Sequence, residues 1–411
     1  MVRIDVKSEL LSTAPYPRLK GEKILFAVTG SVAAYRMVDV VRELIRLGAE
    51  IHVMMSPDSL NLIHEATFEW ASGNKVITEI TGNIEHVLYA GEHEEHVDLM
   101  IIAPASANSI SKIATGIADT NVSLTAAVAI GNNIPLLVVP GMHAPMFNNP
   151  VLKKRISELK NLDQTIIMSP RIEEGKAKVP NLEIIVQNAI RLLTPQTFEN
   201  RQVLISGGAT REYIDNVRFI SNPASGKTAF YLALEAWYRG ATVDLIMGNS
   251  EKFDVPFQIK TTFSAEDMFN EIKEVMKTKK PDAVILSAAV SDYKPVTYIE
   301  GKLKSGHKEL SLNLEPTIKI LKQIKSFNEN CVLIGFKAEH HPTIDKLKDI
   351  FNKYFTDSKI DLLVANDISE KGAGFGTTEN HIWIISKNQI AEYKGHKEKL
   401  AEEIINYLLK L

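Results

Sequence analysis

The chain has 411 residues, 45% hydrophobic and 24% charged, with 47 Lys and Arg against 50 Asp and Glu for a formal net charge of −3. That balance excludes a dedicated surface for nucleic acid or an anionic membrane and points to small-molecule partners, while the length predicts two domains that each bury a core. A single cysteine, Cys331, excludes an internal disulfide and a cysteine-rich zinc site; with a charge-mixed N-terminus and no apolar run near the ~20 residues that cross a bilayer, a cytoplasmic protein is expected.

In the first half, Ile/Leu/Val-rich runs at 24–29, 51–55, 99–103, 136–139 and 165–168 read as strands, and stretches of helical period at 37–47 and 109–129 as helices. Strands apolar on both faces and separated by helices predict a doubly wound, mostly parallel α/β sheet, with ligands beyond the carboxyl ends of the strands. At Arg201 the scheme starts again, because residues 201–211 are a buried-strand pattern running into glycines, as residues 23–35 are. Strands at 203–206, 242–247, 283–287, 331–336 and 362–365 follow, with a helix at 228–239 and an antiparallel-looking strand at 381–386. The join near Thr194-Pro195-Gln196 gives domains 1–195 and 196–411. A polar, Lys-rich stretch at 296–314 reads as a flexible loop that carries function.

Each opening strand that ends in Gly or Ser before a helix aims free backbone N–H groups and a positive dipole end at an anion. In the first half Thr29-Gly30-Ser31 is such a turn, read equally as a phosphate cradle or as a tight connection, and it lacks the third glycine of a dinucleotide fingerprint. The strand ends at Ser106 and Asn108 and at Pro140-Gly141-Met142-His143 are expected to converge on the same crevice. Met142 and Met146 fit a core at least as readily as a cofactor. His86, His93 and His96 suggest a metal, but their acidic surroundings favour a solvated face, and His86 is the better candidate as a base. In the second half, residues 218–227 pack Arg218, Ser221, Asn222, Ser225, Gly226 and Lys227 before a helix, a density of phosphate-compatible donors unusual for a connector. Ser287 and Ala288 end a strand shortly before Asp292, and Lys302 and Lys304 offer positive charge from the polar loop.

In this order, these segments resemble the bifunctional coenzyme A biosynthesis flavoproteins, in which a phosphopantothenoylcysteine decarboxylase is fused to a phosphopantothenate–cysteine ligase. The resemblance runs from about Lys23 to Ser386; it is sharpest at 218–227 and is supported by 288–293, Lys302-Leu303-Lys304, Gly335-Phe336 and Ala365-Asn366-Asp367. It implies a flavodoxin-like, FMN-binding first domain and a Rossmann-like second domain. The second would activate 4′-phosphopantothenate with CTP and Mg²⁺ as an acyl-cytidylate, which cysteine then attacks; the first would decarboxylate 4′-phosphopantothenoylcysteine to 4′-phosphopantetheine. By the same resemblance Gly30, Ser31, Ser56, Ser106, Asn108 and Met142 hold the flavin and His86 is the base. Asn222 steadies the acyl intermediate, and Lys302 is the loop lysine. Arg218, Ser287, Ala288, Asp292, Pro316, Thr317, Ile318, Lys319 and Phe336 bind substrate or nucleotide, with metal ligands left unassigned. Flavin-half trimers joined by ligase-half dimers would make a homo-oligomer, a dodecamer.

The chain departs from that pattern in three places. His143 stands where an amide usually binds the substrate carboxylate, Ser305 replaces a further loop lysine, and the clamp at 171–178 has no cysteine to donate the last proton. Lys176, Glu174 or a water completes the reduction, or the first half stops at an enethiol. The alternative is a ligase whose first half is a non-catalytic FMN-binding module.

Overall fold

The structure is a computed structural model that describes residues 13–92, 94, 96–173, 176–304, 310–370, 372, 374 and 376–411, with the backbone alone at Ile172, Lys176 and Ala177. Two compact units follow the chain, one through Pro195 with Asp254–Pro256 and the other comprising Gln196–Phe253 and Phe257–Leu411. Among the described residues no helix is long and apolar enough to cross a membrane.

In the first unit, β1 (Lys23–Val28), β2 (Glu50–Met55), β3 (Leu99–Ala105), β4 (Leu136–Pro140) and β5 (Thr165–Ile167) form a parallel sheet in the order β2-β1-β3-β4-β5. This is the flavodoxin-like order, whose reversal point lies between β1 and β3. Ile24, Leu25, Phe26, Ala27 and Val28 are all fully buried, so β1 is apolar without alternation because helices cover both faces. On one face, α1 (Ala34–Arg46) turns in a stripe of Met37, Val40, Val41 and Leu44. The other face packs Leu25, Ala27, Met100 and Val138 against α2 (Glu85–Ala90), α3 (Ala107–Ala114), α4 (Asn121–Gly131) and α5 (Pro150–Lys160). The chain then makes a small hairpin of β6 (Arg171–Glu173) and β7 (Lys176–Lys178), and α6 (Leu182–Leu193) returns to the α1 face.

The single helix expected over 109–129 is two helices. Gly116 takes a left-handed φ of +72°, and Thr120 then opens α4 with a reciprocal cap in which the Ser123 N–H donates to Thr120 Oγ1 at 3.1 Å. A left-handed residue after one helix and a capping box before the next specify a stop and a restart that apolar periodicity alone does not register.

The second unit opens with β8 (Gln202–Gly207), followed by the short hairpin β9 (Arg211–Tyr213) and β10 (Phe219–Ser221), and then α7 (Lys227–Tyr238). Next come β11 (Thr242–Met247), β12 (Ile259–Thr261), α8 (Ala265–Thr278) and β13 (Ala283–Leu286). A second hairpin, β14 (Tyr293–Pro295) with β15 (Leu314–Pro316), brackets the polar stretch. β16 (Val332–Glu339), α9 (Ile344–Ser358), β17 (Leu362–Asp367), β18 (Glu379–Ile385), β19 (Ile390–His396) and α10 (Lys397–Leu408) complete the unit. The main sheet runs β12-β11-β8-β13-β16-β17-β18-β19, parallel as far as β17 and antiparallel beyond it. Val203 and Ile205 of β8 face α7 and α10, whereas Leu204 faces α8 and α9. Both units are doubly wound α/β layers. The edge strand β19 has no counterpart in the sequence reading, because its exposed face breaks the apolar run that marks a strand of a covered sheet.

Candidate functional site

In the first unit the carboxyl ends of β1 and β3 are laced together. Thr29 Oγ1 donates to the Pro104 carbonyl at 2.7 Å and accepts from the Ser106 N–H at 2.8 Å. A Cβ placed on Gly141 would lie 2.7 Å from Pro104 Cβ and 3.0 Å from Ser31 Oγ, so the end of β4 closes on the same crevice. The three segments expected to converge therefore do so. Gly30 is equally tight, since a Cβ there would lie 2.7 Å from Asp58 Cβ. α1 starts beside Ser31 with no capping side chain and no acid in its first turn; the Ala34 N–H donates to the Ser31 carbonyl at 3.0 Å and the Arg36 N–H to the Ala33 carbonyl at 3.1 Å, and the positive end of the helix is left without a compensating charge from its own first turn. Ser56 ends β2 with a buried hydroxyl that has no hydrogen-bond partner. Ser106 caps α3 through the Ser109 N–H, and Asn108 lies exposed on the first turn. These small residues, a helix start with no acid in its first turn and an orphaned hydroxyl fit a phosphate-bearing planar cofactor.

His143 is exposed at the start of a short helical turn and makes no capping bond, whereas Met142 is partly buried and packs on the core. His86 lies on α2, with Nδ1 buried and unpartnered. α2 packs against α4, and no hydrogen bond of the described residues joins His86 to the crevice around Ser31. The Val97 N–H donates to the Tyr89 carbonyl at 2.9 Å. His93 and Glu174 lie outside the described residues, as does the side chain of Lys176; among those described, no three His, Cys, Asp or Glu side chains group as a metal site.

The second unit carries a cleft of about 650 Å³ at the carboxyl ends of β8 and β13, the reversal point of its sheet. Asn222, Ser287, Ala288, Asp292, Thr317, Ile318, Lys319 and Phe336 all line it. Among the described residues so do six lysines, Lys227, Lys319, Lys322, Lys337, Lys353 and Lys397, and two acids, Asp292 and Asp357; with Glu251 and Glu339 also pairing to Lys227 and Lys337, lysines still outnumber acids, which suits a polyanion. Ser287 Oγ donates to the Ser206 carbonyl at 2.8 Å and so staples the two central strands. The Asn222 amide donates to the Ala289 carbonyl at 3.2 Å, which sets its group beside Ala288. The turn with Thr317 is held by the Thr317 N–H on the Asp292 carbonyl at 3.0 Å and by the Lys319–Asp292 ion pair. Gly226 caps α7 at φ +84°, where a Cβ would lie 2.5 Å from Met247 Cε, so only glycine brings that helix start so near β11.

Three expected residues lie off the cleft wall: Arg218, Lys302 and Pro316. Arg218 pairs with the fully buried Asp215 at 2.7 Å and donates to the Leu303 carbonyl at 3.0 Å, while the Leu303 N–H donates to Asp215 at 2.9 Å. Arg218 thus anchors the segment that presents exposed Lys302. The N–H of Leu303, followed by those of Arg218 and Val217 and the Arg218 guanidinium, holds the Asp215 carboxyl well below the usual range although burial opposes it. Ser305 lies outside the described residues. Sequence reasoning missed Lys397, which lines the cleft and opens a helix with nothing local to distinguish it from a solvated residue.

Comparison with known proteins covers both units. The Flavoprotein family matches residues 12–194, and the DNA/pantothenate metabolism flavoprotein C-terminal domain matches residues 198–411. The chain is 42% identical over 398 residues to the coenzyme A biosynthesis bifunctional protein CoaBC of Thermococcus kodakarensis, covering 96% of each. It is 38% identical over 411 residues to that of Methanocaldococcus jannaschii, covering 98% of this chain and 97% of the relative. Among solved structures, the DNA/pantothenate metabolism flavoprotein from Streptococcus pneumoniae is 26% identical with a TM-score of 0.45, over 51% of this chain and 98% of that one.

Proposed function

Because the chain belongs to the family of bifunctional coenzyme A biosynthesis proteins, with decarboxylase and ligase activities in one polypeptide, we propose that its two crevices divide those reactions between them. The observation that carries the assignment is the lysine-rich cleft of the second unit, where Asn222, Asp292 and Phe336 meet. There the carboxylate of 4′-phosphopantothenate attacks the α-phosphorus of CTP, pyrophosphate leaves, and the amine of cysteine displaces CMP from the acyl-cytidylate. The lysines and the α7 N-terminus neutralise the charge that builds on the leaving pyrophosphate. Asn222 offers the intermediate a neutral amide that does not compete as a nucleophile, and Phe336, Ser287, Ala288 and residues 316–319 seat the nucleotide. Lys302, exposed beyond the wall, reaches in from its anchored segment. Mg²⁺ accompanies the nucleotide, held mainly by its phosphates.

The first crevice decarboxylates the resulting 4′-phosphopantothenoylcysteine. Gly30, Ser31 and the start of α1 hold the phosphate of FMN; Ser56, Ser106, Asn108 and Met142 hold the remainder. FMN, when bound, supplies reversible electron acceptance that makes loss of CO₂ easy. His86 takes a substrate proton, and His143 binds the substrate carboxylate. In the second unit, exposed Tyr213, Phe219, Tyr293 and Tyr298 on the two hairpins support pairing through ligase halves, and we extend this to the homo-oligomeric dodecamer. A cytoplasmic location accords with the one cysteine, which is free and buried.

Purified protein given phosphopantothenate, cysteine, CTP and Mg²⁺ is expected to release pyrophosphate and then CO₂, with 4′-phosphopantetheine identified by mass. Asn222→Asp should lose pyrophosphate-coupled ligation by ~10²-fold or more yet still release CO₂ from added phosphopantothenoylcysteine. His86→Asn should show the reverse. Unchanged ligation in the first variant, or surviving decarboxylation in the second, removes that residue from its role.

A further inference from the structure

Lys397 opens α10 and is only 5% exposed, yet it lines the same cleft as Asn222 and Lys319. Its ammonium donates to the carbonyls of Gly374 and Thr377, both at 2.7 Å. Gly374 and Gly376, which line the cleft as well, take φ values of +101° and +76° that L side chains rarely adopt. One ammonium therefore ties two backbone carbonyls beside glycines of the cleft wall. The placement is unfavourable in itself, since a cation at a helix start opposes the dipole, and Lys227 puts another ammonium at the start of α7 on the same wall.

We infer that Lys397 is a positioning residue of the ligase: by tying Gly374 and Thr377 it sets the wall against which the polyanionic nucleotide seats. The inference rests on assigning the second cleft to the ligase. Its charge state is open to experiment, because burial first and Lys227 second lower its pKa to about 8, with Glu251 opposing. Among the described residues, the titratable groups around it are Lys227, Glu251, Tyr231, His396 and Glu398, with Glu379 acting on His396. Burial pushes His396 down and Tyr231 up, so neither titrates where Lys397 does.

The test uses the full chain in single turnover and follows the pyrophosphate burst from CTP and phosphopantothenate without cysteine, whose own ionisation would confuse the alkaline limb; each site then stops at the acyl-cytidylate, so the saturating burst rate constant is read as kcat and the half-saturating CTP concentration as KM. Rates are taken from roughly pH 6.5 to 9.5, a range that spans the Lys397 transition. Lys397→Met and Lys397→Gln should raise KM for CTP by about ten- to a hundredfold with kcat within about threefold, while Lys397→Arg recovers most of the affinity. Wild-type kcat/KM should fall above about pH 8, and in Lys397→Arg, whose guanidinium stays charged, that fall should vanish. A KM in Lys397→Met within about twofold of wild type, a loss confined to kcat, or the same alkaline fall in Lys397→Arg overturns the inference. Should Lys397→Met fail to fold, the pH profile of Lys397→Arg decides alone. Wild type that releases no pyrophosphate from CTP overturns the ligase assignment, and with it this inference; an active wild type beside an indifferent Lys397→Met overturns this inference only. Carbon dioxide release from phosphopantothenoylcysteine should be equal in all variants.

Discussion

Gly226 concentrates two constraints in one residue, a left-handed φ and a gap that Met247 and Ser250 already fill. Gly226→Ala should therefore cost about 1–3 kcal/mol in chemical denaturation and weaken CTP binding together, because the start of α7 moves with it. Cys331 makes a different kind of statement. It is buried, and burial first, with Asp361 adding, pushes its thiol up, although Lys325 and a backbone bond pull the other way. A thiol-specific reagent should leave the native protein unlabelled and modify one thiol per chain on unfolding. Ser31, Ser106 and Ser287 stood out as candidates because each follows or ends an apolar run, so strand periodicity announces where the carboxyl ends lie, whereas Asn222 stood out by the donor density of its segment and Phe336 by the family resemblance alone. Arg218 stood out by the same donor density but reaches Asp215 instead, a contact that requires the β9–β10 hairpin to fold. Lys397 gives no local sign because its partners lie some twenty residues away in the chain.

Elements of the covered sheets were legible for the reason that β1 and β8 are apolar throughout: a strand with helices on both faces cannot alternate. The small hairpins β9–β10 and β14–β15 were not, since three residues carry no period, and the break between α3 and α4 needed its cap to be recognised. Those hairpins hold the most testable electrostatics. Asp215 has its folded-state pKa depressed by the Leu303 and Arg218 contacts, so its stabilisation is present above the unfolded value near ~3.9 and is lost as pH falls through the lower folded value. Asp215→Asn should therefore destabilise the second unit at neutral pH, and its difference from wild type should shrink on acidification. Limited proteolysis near Lys302 should quicken in the variant, as the segment loses its anchor; equal cleavage rates would show that Arg218 alone suffices.

At the scale of the whole molecule, fragments 1–195 and 196–411 are each expected to retain their own chemistry, since Asp254–Pro256 is the one short segment of the second fragment that groups with the first unit. The first should bind FMN and the second should ligate with KM values within about threefold of the intact chain, read by absorbance and by pyrophosphate release. An inactive second fragment with a native far-ultraviolet spectrum would show that the boundary is misplaced. Its cleft, where lysines outnumber acids among the described residues, has a further effect on catalysis. Such an excess of ammonium groups grips a departing anion as readily as an arriving one, so inorganic pyrophosphate should linger as a product inhibitor competitive with the nucleotide. Raised salt would loosen both, and sustained turnover would then depend on whatever clears the by-product from solution.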